Sequence, residues 1–367
     1  MFTPNRRRIL QLAVAAGATP LLSGLPAFAG GARAFAPQPS DWRSYQIATT
    51  IRLPADGQAA QIWLPVPSLE NDYQHSLSDE VTGNAARADI VTDQKTGAKY
   101  LHASFDAGST PELTLTSSFQ TRNRVVDWSK PIDVTEDPAI IQAALAPSAN
   151  KPLDGVVAER AAEITAGATT DLEKVQAIYA WIVTHCFRNM DTPGCGPGDS
   201  VATLTTASLG GKCADLNGLF VALSRASGVP ARDIYGVRVA PSEFGFKQLG
   251  ANSPGISGAQ HCRAEVWLSG HGWVAMDPAD VLKVMRAETD DWIRDPNDPL
   301  VAEVNKALLG NWEGNWVGFN MAEDLVLTGR DAPALPFMMY PQGQIGTRAL
   351  NELDPEGFSY EMTATAL

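Results

Sequence analysis

The chain has 367 residues, 44% of them hydrophobic and 19% charged, and a formal net charge of -13. That length allows one elaborated domain or two modest ones, and the composition is that of an ordinary globular protein. The acidic balance argues against nucleic acid or anionic membrane surfaces as partners, and no like-charge block, low-complexity tract or internal repeat interrupts the chain.

At the N-terminus, Arg6, Arg7 and Arg8 precede an apolar stretch that ends in Ala27-Phe28-Ala29. A basic region, a hydrophobic region and a small-x-small site describe an export signal, and paired arginines ahead of Ile9 and Leu10 resemble the twin-arginine type. Gly17, Thr19 and Pro20 inside the apolar stretch suit such a signal better than a spanning helix. Residues 1–29 are therefore expected to be removed, leaving an exported or periplasmic protein with no integral membrane segment.

Residues 30–130 read as β-structure, because "YQIATTIRL", "AQIWLPVP", "KYLHASFD" and "ELTLTSSFQTRNRVV" alternate apolar and polar residues. A small antiparallel domain houses them most simply. Lys95-Thr96-Gly97 is read as a turn.

Helical patterns begin after Pro131. Thr135 is an expected N-cap for "EDPAIIQAAL", and "GVVAERAAEITAG" follows as a second helix. Thr170 then caps "DLEKVQAIYAWIVTHCF", whose apolar stripe continues to Cys186, while His185 lies off that stripe. The Gly/Pro-rich "NMDTPGCGPGDS" is a loop that could bring Cys195 to Cys186 in an oxidising compartment. Next comes "GGKCADLNGLFVALSRASGVPAR", Gly210 to Arg232, a helix with Cys213 in its first turn and Gly228 and Pro230 at its end. Strands "DIYGVRVA", "QHCRAEVWL" and "GWVAMDP" follow, so residues 131–290 are α+β. Residues 291–367 form an extension expected to pack Trp312, Trp316 and Phe319 on the core and to end in a closing strand.

Chemistry concentrates at three positions. A cysteine in the first turn of a helix meets free backbone N–H groups and the positive end of the helix dipole, which favour the thiolate of Cys213. Gly210 and Gly211 leave room for a backbone or a substrate beside it. His261, at the start of a strand, can pair with the thiolate and pass a proton; Cys262 alternates to the opposite face and is expected to be packed or disulfide-bonded. Asp277, at the end of the next strand, can orient the imidazole. A tight turn at Gly270-His271 would pair His261 with Asp280 and Asp277 with Ala264, so Asp280 remains an alternative.

The stretches "GGKCADLNGLFVALSRASGVPAR" and "QHCRAEVWLSGHGWVAMDPAD", in the order Cys, His, Asp, resemble the transglutaminase-like superfamily, relatives of papain-type cysteine proteases. The likeness spans Leu172 to Leu282 and implies a papain/transglutaminase-like core behind the N-terminal antiparallel β domain, with Cys213 as nucleophile, His261 as base and Asp277 as orienting acid. It also implies a thiol hydrolase or acyltransferase acting on peptide or peptidoglycan-type amides, hydrolysis being favoured over transfer. No cofactor or metal is expected: no C-x-x-C pair is present, and "ETDDWIRDPNDP" lacks the spacing of a calcium loop. The competing expectations are a non-catalytic binding module of the envelope and a metal site built on Cys213, His261 and Asp277.

Overall fold

The computed structural model describes residues 33–54 and 56–367; the expected signal segment, residues 1–29, lies outside the described residues. Strand Arg43–Arg52 alternates buried and part-exposed side chains along most of its length, the signature of a strand with one face on a core. It pairs antiparallel with Glu112–Thr121 on one side and with the C-terminal strand Tyr360–Ala366 on the other, and Gln74–Gly83 completes a four-stranded sheet. A second sheet orders Arg348–Ala349, Gln342–Ile345, Ala60–Pro65, Lys99–Phe105 and Arg87–Thr92. Ile51, Ile62, Leu101, Leu113 and Ile345 fill the space between these two sheets.

A third sheet carries the chemistry. Its order is Leu309–Gly310, Gly272–Met276, Gln260–Leu268, Ala231–Arg238 and Trp316–Asn320, antiparallel throughout. Helix Cys213–Ala226 packs on Gln260–Leu268 and Ala231–Arg238, and helices Gly155–Thr165, Asp171–His185 and Pro278–Ala287 pack around it. Residues Cys213 to Arg225 of that helix are all buried, as expected of a helix enclosed by neighbours on every side. Thr170 caps Asp171–His185 as expected, and does so through a capping box with Glu173. Upstream, Asp137 rather than Thr135 caps Pro138–Ala143, its carboxylate accepting from the Ala139 N–H, because Pro138 begins the helix directly after it.

Residues after 290 serve all three sheets. Trp312 and Trp316 are buried against the helical core, Gln342–Ile345 extends one N-terminal sheet, and Tyr360–Ala366 extends the other. Phe119, Tyr45, Val237, Val317 and Phe319 form one buried cluster that joins the N-terminal sheet to the helix-bearing sheet. Edge strands of the N-terminal part need partners for their N–H and C=O groups, and the C-terminal extension supplies them. Among the described residues no helix is long and apolar enough to cross a membrane.

Phe119 has no solvent exposure and stacks near Tyr45 at a centroid distance of 6.1 Å. Its replacement by Ala removes a ring between two sheets and is expected to cost about 3–5 kcal/mol, read as a lower midpoint of urea unfolding with an unchanged slope.

Candidate active site

Cys213 is the first residue of its helix and 2% exposed. A single acidic side chain one turn along builds the helix start. Asp215 accepts from the backbone N–H of Lys212 (3.0 Å) and of Gly198 (3.0 Å), tying the Gly/Pro-rich loop to the helix. Burial pushes its carboxyl up to about 6 against those two hydrogen bonds. Glycines make the arrangement possible. A Cβ on Gly196, which has φ +88°, would lie 1.9 Å from an Asp215 oxygen, and one on Gly211 would lie 2.5 Å from the Asp215 Cβ. The space at Gly210 is filled by the Phe187 ring. Of the backbone or substrate for which the sequence suggested room, it is a backbone that approaches: Phe187–Arg188 pairs in parallel with Gly210–Gly211, and Phe187 and Asp215 fill the space beside the glycines.

His261 and Asp277 meet directly: Nε2 lies 2.7 Å from Asp277 Oδ2, and 3.4 Å from Asp280 Oδ2. The register explains the choice. Leu268 pairs with Gly272 and Ala264 with Met276, one residue out of step with the expected turn. A one-residue shift exchanges the faces of a strand, so Asp277 comes to the His261 face, diagonally across the hairpin, instead of opposite Ala264. Asp277 also caps Pro278–Ala287 through the Asp280 N–H (3.1 Å) and accepts from Asn217 Nδ2 (3.0 Å). Asp280 faces Arg238, whose Nη2 reaches both carboxylate oxygens at 2.5 Å.

Asn217, one turn beyond Cys213, was not singled out from the sequence. Its Nδ2 also donates to the Cys262 carbonyl (2.9 Å), and its Oδ1 accepts from the Ala279 N–H (3.2 Å), so one buried amide connects the Cys213 helix, the His261 strand and Asp277. Arg263, stacked over the Trp312 and Trp316 rings, sits 3.7 Å from Asp277 Oδ2. Trp316 Nε1 donates to the His261 carbonyl (2.8 Å).

All four cysteines are free and buried. Cys195 stands beside Cys213, not Cys186: the Ala214 N–H donates to the Cys195 carbonyl (2.9 Å), and the Cys195 thiol donates to the Gln260 carbonyl (3.4 Å), next to His261. Cys186 ends its helix in an apolar setting that raises its thiol to about 12. Cys262 packs in the core with no exposure, and its thiol also reaches Cys213. Hydrogen bonds from Cys195 and Cys262, together with the His261 imidazole, outweigh burial and hold Cys213 well below the ordinary thiol range. Burial and the Arg238 charge push His261 down, Asp280 and Asp277 push it up, and the outcome lies above its usual value.

His261, Asp277 and Asp280 bring one ligand atom each within 4.8 Å of one another, a cluster that could hold a cation. Both carboxylates are already engaged, Asp280 by Arg238 and Asp277 by His261 and Asn217. A cation there would compete with a guanidinium at very short range.

Replacing Cys195 with Ala removes the neighbour that does most to favour the Cys213 thiolate. The midpoint of Cys213 alkylation by iodoacetamide, followed across pH by peptide mass spectrometry, is expected to move to higher pH.

Comparison with known proteins places this geometry. The model of the transglutaminase-like superfamily matches residues 158–278, the span that runs from helix Gly155–Thr165 through Cys213 and His261 to Asp277 and Pro278. A protein of Haemophilus influenzae, described as uncharacterized, is 36% identical over 349 residues, covering 89% of this chain and 93% of the relative. The structure of a candidate cysteine protease from Cytophaga hutchinsonii is 16% identical with a TM-score of 0.50, over 89% of this chain and 99% of that one. The periplasmic domain of TgpA from Pseudomonas aeruginosa aligns over 67% of this chain and 91% of that domain, at 17% identity and a TM-score of 0.36. Residues 158–278 form a domain of the transglutaminase-like superfamily, set in an α+β core of helices on an antiparallel sheet.

Proposed function

We propose that the protein is a thiol hydrolase of amide bonds that works through an acyl-thioester on Cys213. The observation that carries this reading is the convergence of a helix-start thiol of lowered pKa on an imidazole whose far nitrogen is bonded to a buried carboxylate. His261 Nε2 is occupied by Asp277, so in this mechanism Nδ1 is the nitrogen that exchanges protons with the reacting groups.

In the first half-reaction the Cys213 thiolate adds to the carbonyl carbon. The oxyanion that forms is stabilised by the Cys213 N–H, which has no hydrogen-bond acceptor among the described residues. Asn189 is a candidate second donor: its N–H bonds the Gly211 carbonyl (2.9 Å), and its Oδ1 accepts from the Asp191 N–H (3.1 Å). Collapse of the tetrahedral adduct breaks the C–N bond while the His261 imidazolium gives its proton to the leaving amine. Neutral His261 then takes a proton from water as the oxygen adds to the thioester, and the carboxylic acid departs with the Cys213 thiolate restored. Asp277 stays ionised and fixes the ring throughout. Hydrolysis is preferred to transfer because water is abundant and no acceptor amine site is marked out by these residues.

The Arg6-Arg7-Arg8 run and the Ala27-Phe28-Ala29 site support export by a twin-arginine-type signal, so peptides and cell-wall amides are the substrates proposed. The burial of Cys213, 2% exposed, favours a second reading, a non-catalytic envelope module in which the thiol stays enclosed.

A screen of peptide and peptidoglycan amides separates the two. Turnover lost in Cys213→Ala and reduced about 10²–10⁴-fold in His261→Ala, with a mass increase on Cys213 under acid quench, supports the hydrolase. Turnover that survives Cys213→Ala contradicts it. Activity is expected to follow a bell-shaped pH profile. Its acid limb is set by Cys213, lowered from the thiol range, and its alkaline limb by His261, raised above the usual imidazole value.

A further inference from the structure

A cavity of about 910 Å³ opens beside the nucleophile. Residues that flank the reacting groups line it: Lys212 precedes Cys213, Gln260 precedes His261, and Cys195 contacts the Cys213 sulfur. The charged part of the lining has a single sign. Arg188, Lys212, Arg238, Lys247 and Lys283 contribute, and no Asp or Glu does, in a chain whose net charge is -13.

Nearby acids leave most of this positive charge uncompensated. Asp280 balances Arg238 through Nη2 alone, while Arg238 Nε and Nη1 have no hydrogen-bond partner although the residue is 1% exposed. The Nε of half-buried Arg188 is unpartnered as well. Glu288 accepts from the backbone N–H groups of Lys247 and Gln248 and from Arg33, not from the Lys247 ammonium. Lys283 Nζ meets only the neutral Gln248 carbonyl (2.7 Å). Burial, then the Arg238 charge, pushes Lys283 down to about 7, a mark of crowded cations. Buried donors left without acceptors are costly, and a cleft lined by one sign of charge concentrates ligands of the other.

We propose that this cavity selects an anionic acyl donor, a peptide whose carboxylates flank the carbonyl attacked by Cys213. The proposal rests on Cys213 as nucleophile and names the substrate class of that site. Guanidinium groups match carboxylates in a planar fork, so Arg188 and Arg238 would fix the orientation of the donor. Lys212 and Lys247 would add charge at the mouth.

Iodoacetate and iodoacetamide test this, because they alkylate the same sulfur and differ by one charge. The ratio of their rates at Cys213, read on the full protein by peptide mass spectrometry, is expected to exceed that of glutathione in the same buffer by about tenfold. Added sodium chloride should lower it, and so should the double variant Arg188→Gln/Lys247→Gln, both of whose positions have some solvent exposure. Penta-glutamate should slow iodoacetamide labelling at lower concentration than penta-glutamine. A ratio no higher than that of glutathione overturns the anionic cavity while leaving Cys213 reactive. Protection by inorganic phosphate without protection by penta-glutamate overturns the carboxylate peptide as its ligand. Failure of both reagents to label Cys213 at neutral pH overturns the nucleophile, and this proposal with it.

Discussion

The buried carboxylate of Asp277 is where the site is assembled. A carboxylate with no solvent exposure must find its hydrogen bonds inside the protein or lose its charge, and this one draws them from three elements. His261 Nε2 on the neighbouring strand reaches one oxygen, Asn217 on the nucleophile helix reaches the other, and the first turn of its own helix adds the Asp280 N–H. Satisfying one anion therefore fixes the distance between the helix that carries Cys213 and the strand that carries His261. Removing a partner would leave a buried charge short of a hydrogen bond, a larger loss than the bond itself is worth. Burial and the charge of a second carboxylate, Asp280, raise Asp277 above the usual carboxylate range, and Arg263, 3.7 Å away, offsets part of that cost while Arg238 pairs with Asp280.

Around this anchor the thiol is prepared by geometry that costs little. The helix start supplies free N–H groups and a favourable dipole. Two neighbouring cysteines, Cys195 and Cys262, favour the thiolate further. Asp215 keeps the loop that carries Cys195 attached to the helix, and Gly196 and Gly211 yield the space it occupies.

Much of this was legible in the sequence and some was not. Alternation announced the strands, Thr170 announced its helix, and a thiol at a helix start followed by His and Asp in separate strands pointed to the three groups that meet. The hairpin was misjudged by one residue, because a turn's length is set by backbone dihedrals that "SGHG" alone does not specify. That single residue decided between Asp277 and Asp280 in the contact with His261. Asn217 was hidden because a buried amide in an apolar helix has no periodic signature, and its three partners lie 45 to 62 positions away. Cys195 was hidden in a loop whose path depends on Asp215. The glycine pair was recognised as roomy, but only the fold shows that Phe187 and Asp215 take the room.

The central claim is that Cys213 and His261 form a thiolate–imidazolium pair near neutral pH. Thiolate absorbance at 240 nm, titrated in the wild type and corrected by Cys213→Ala, measures it directly. The account predicts a step worth one thiolate with a midpoint well below about 8.5, the ordinary cysteine value, and its displacement to higher pH in His261→Ala. A wild-type step at about 8.5 or above, unmoved by His261→Ala, would contradict it.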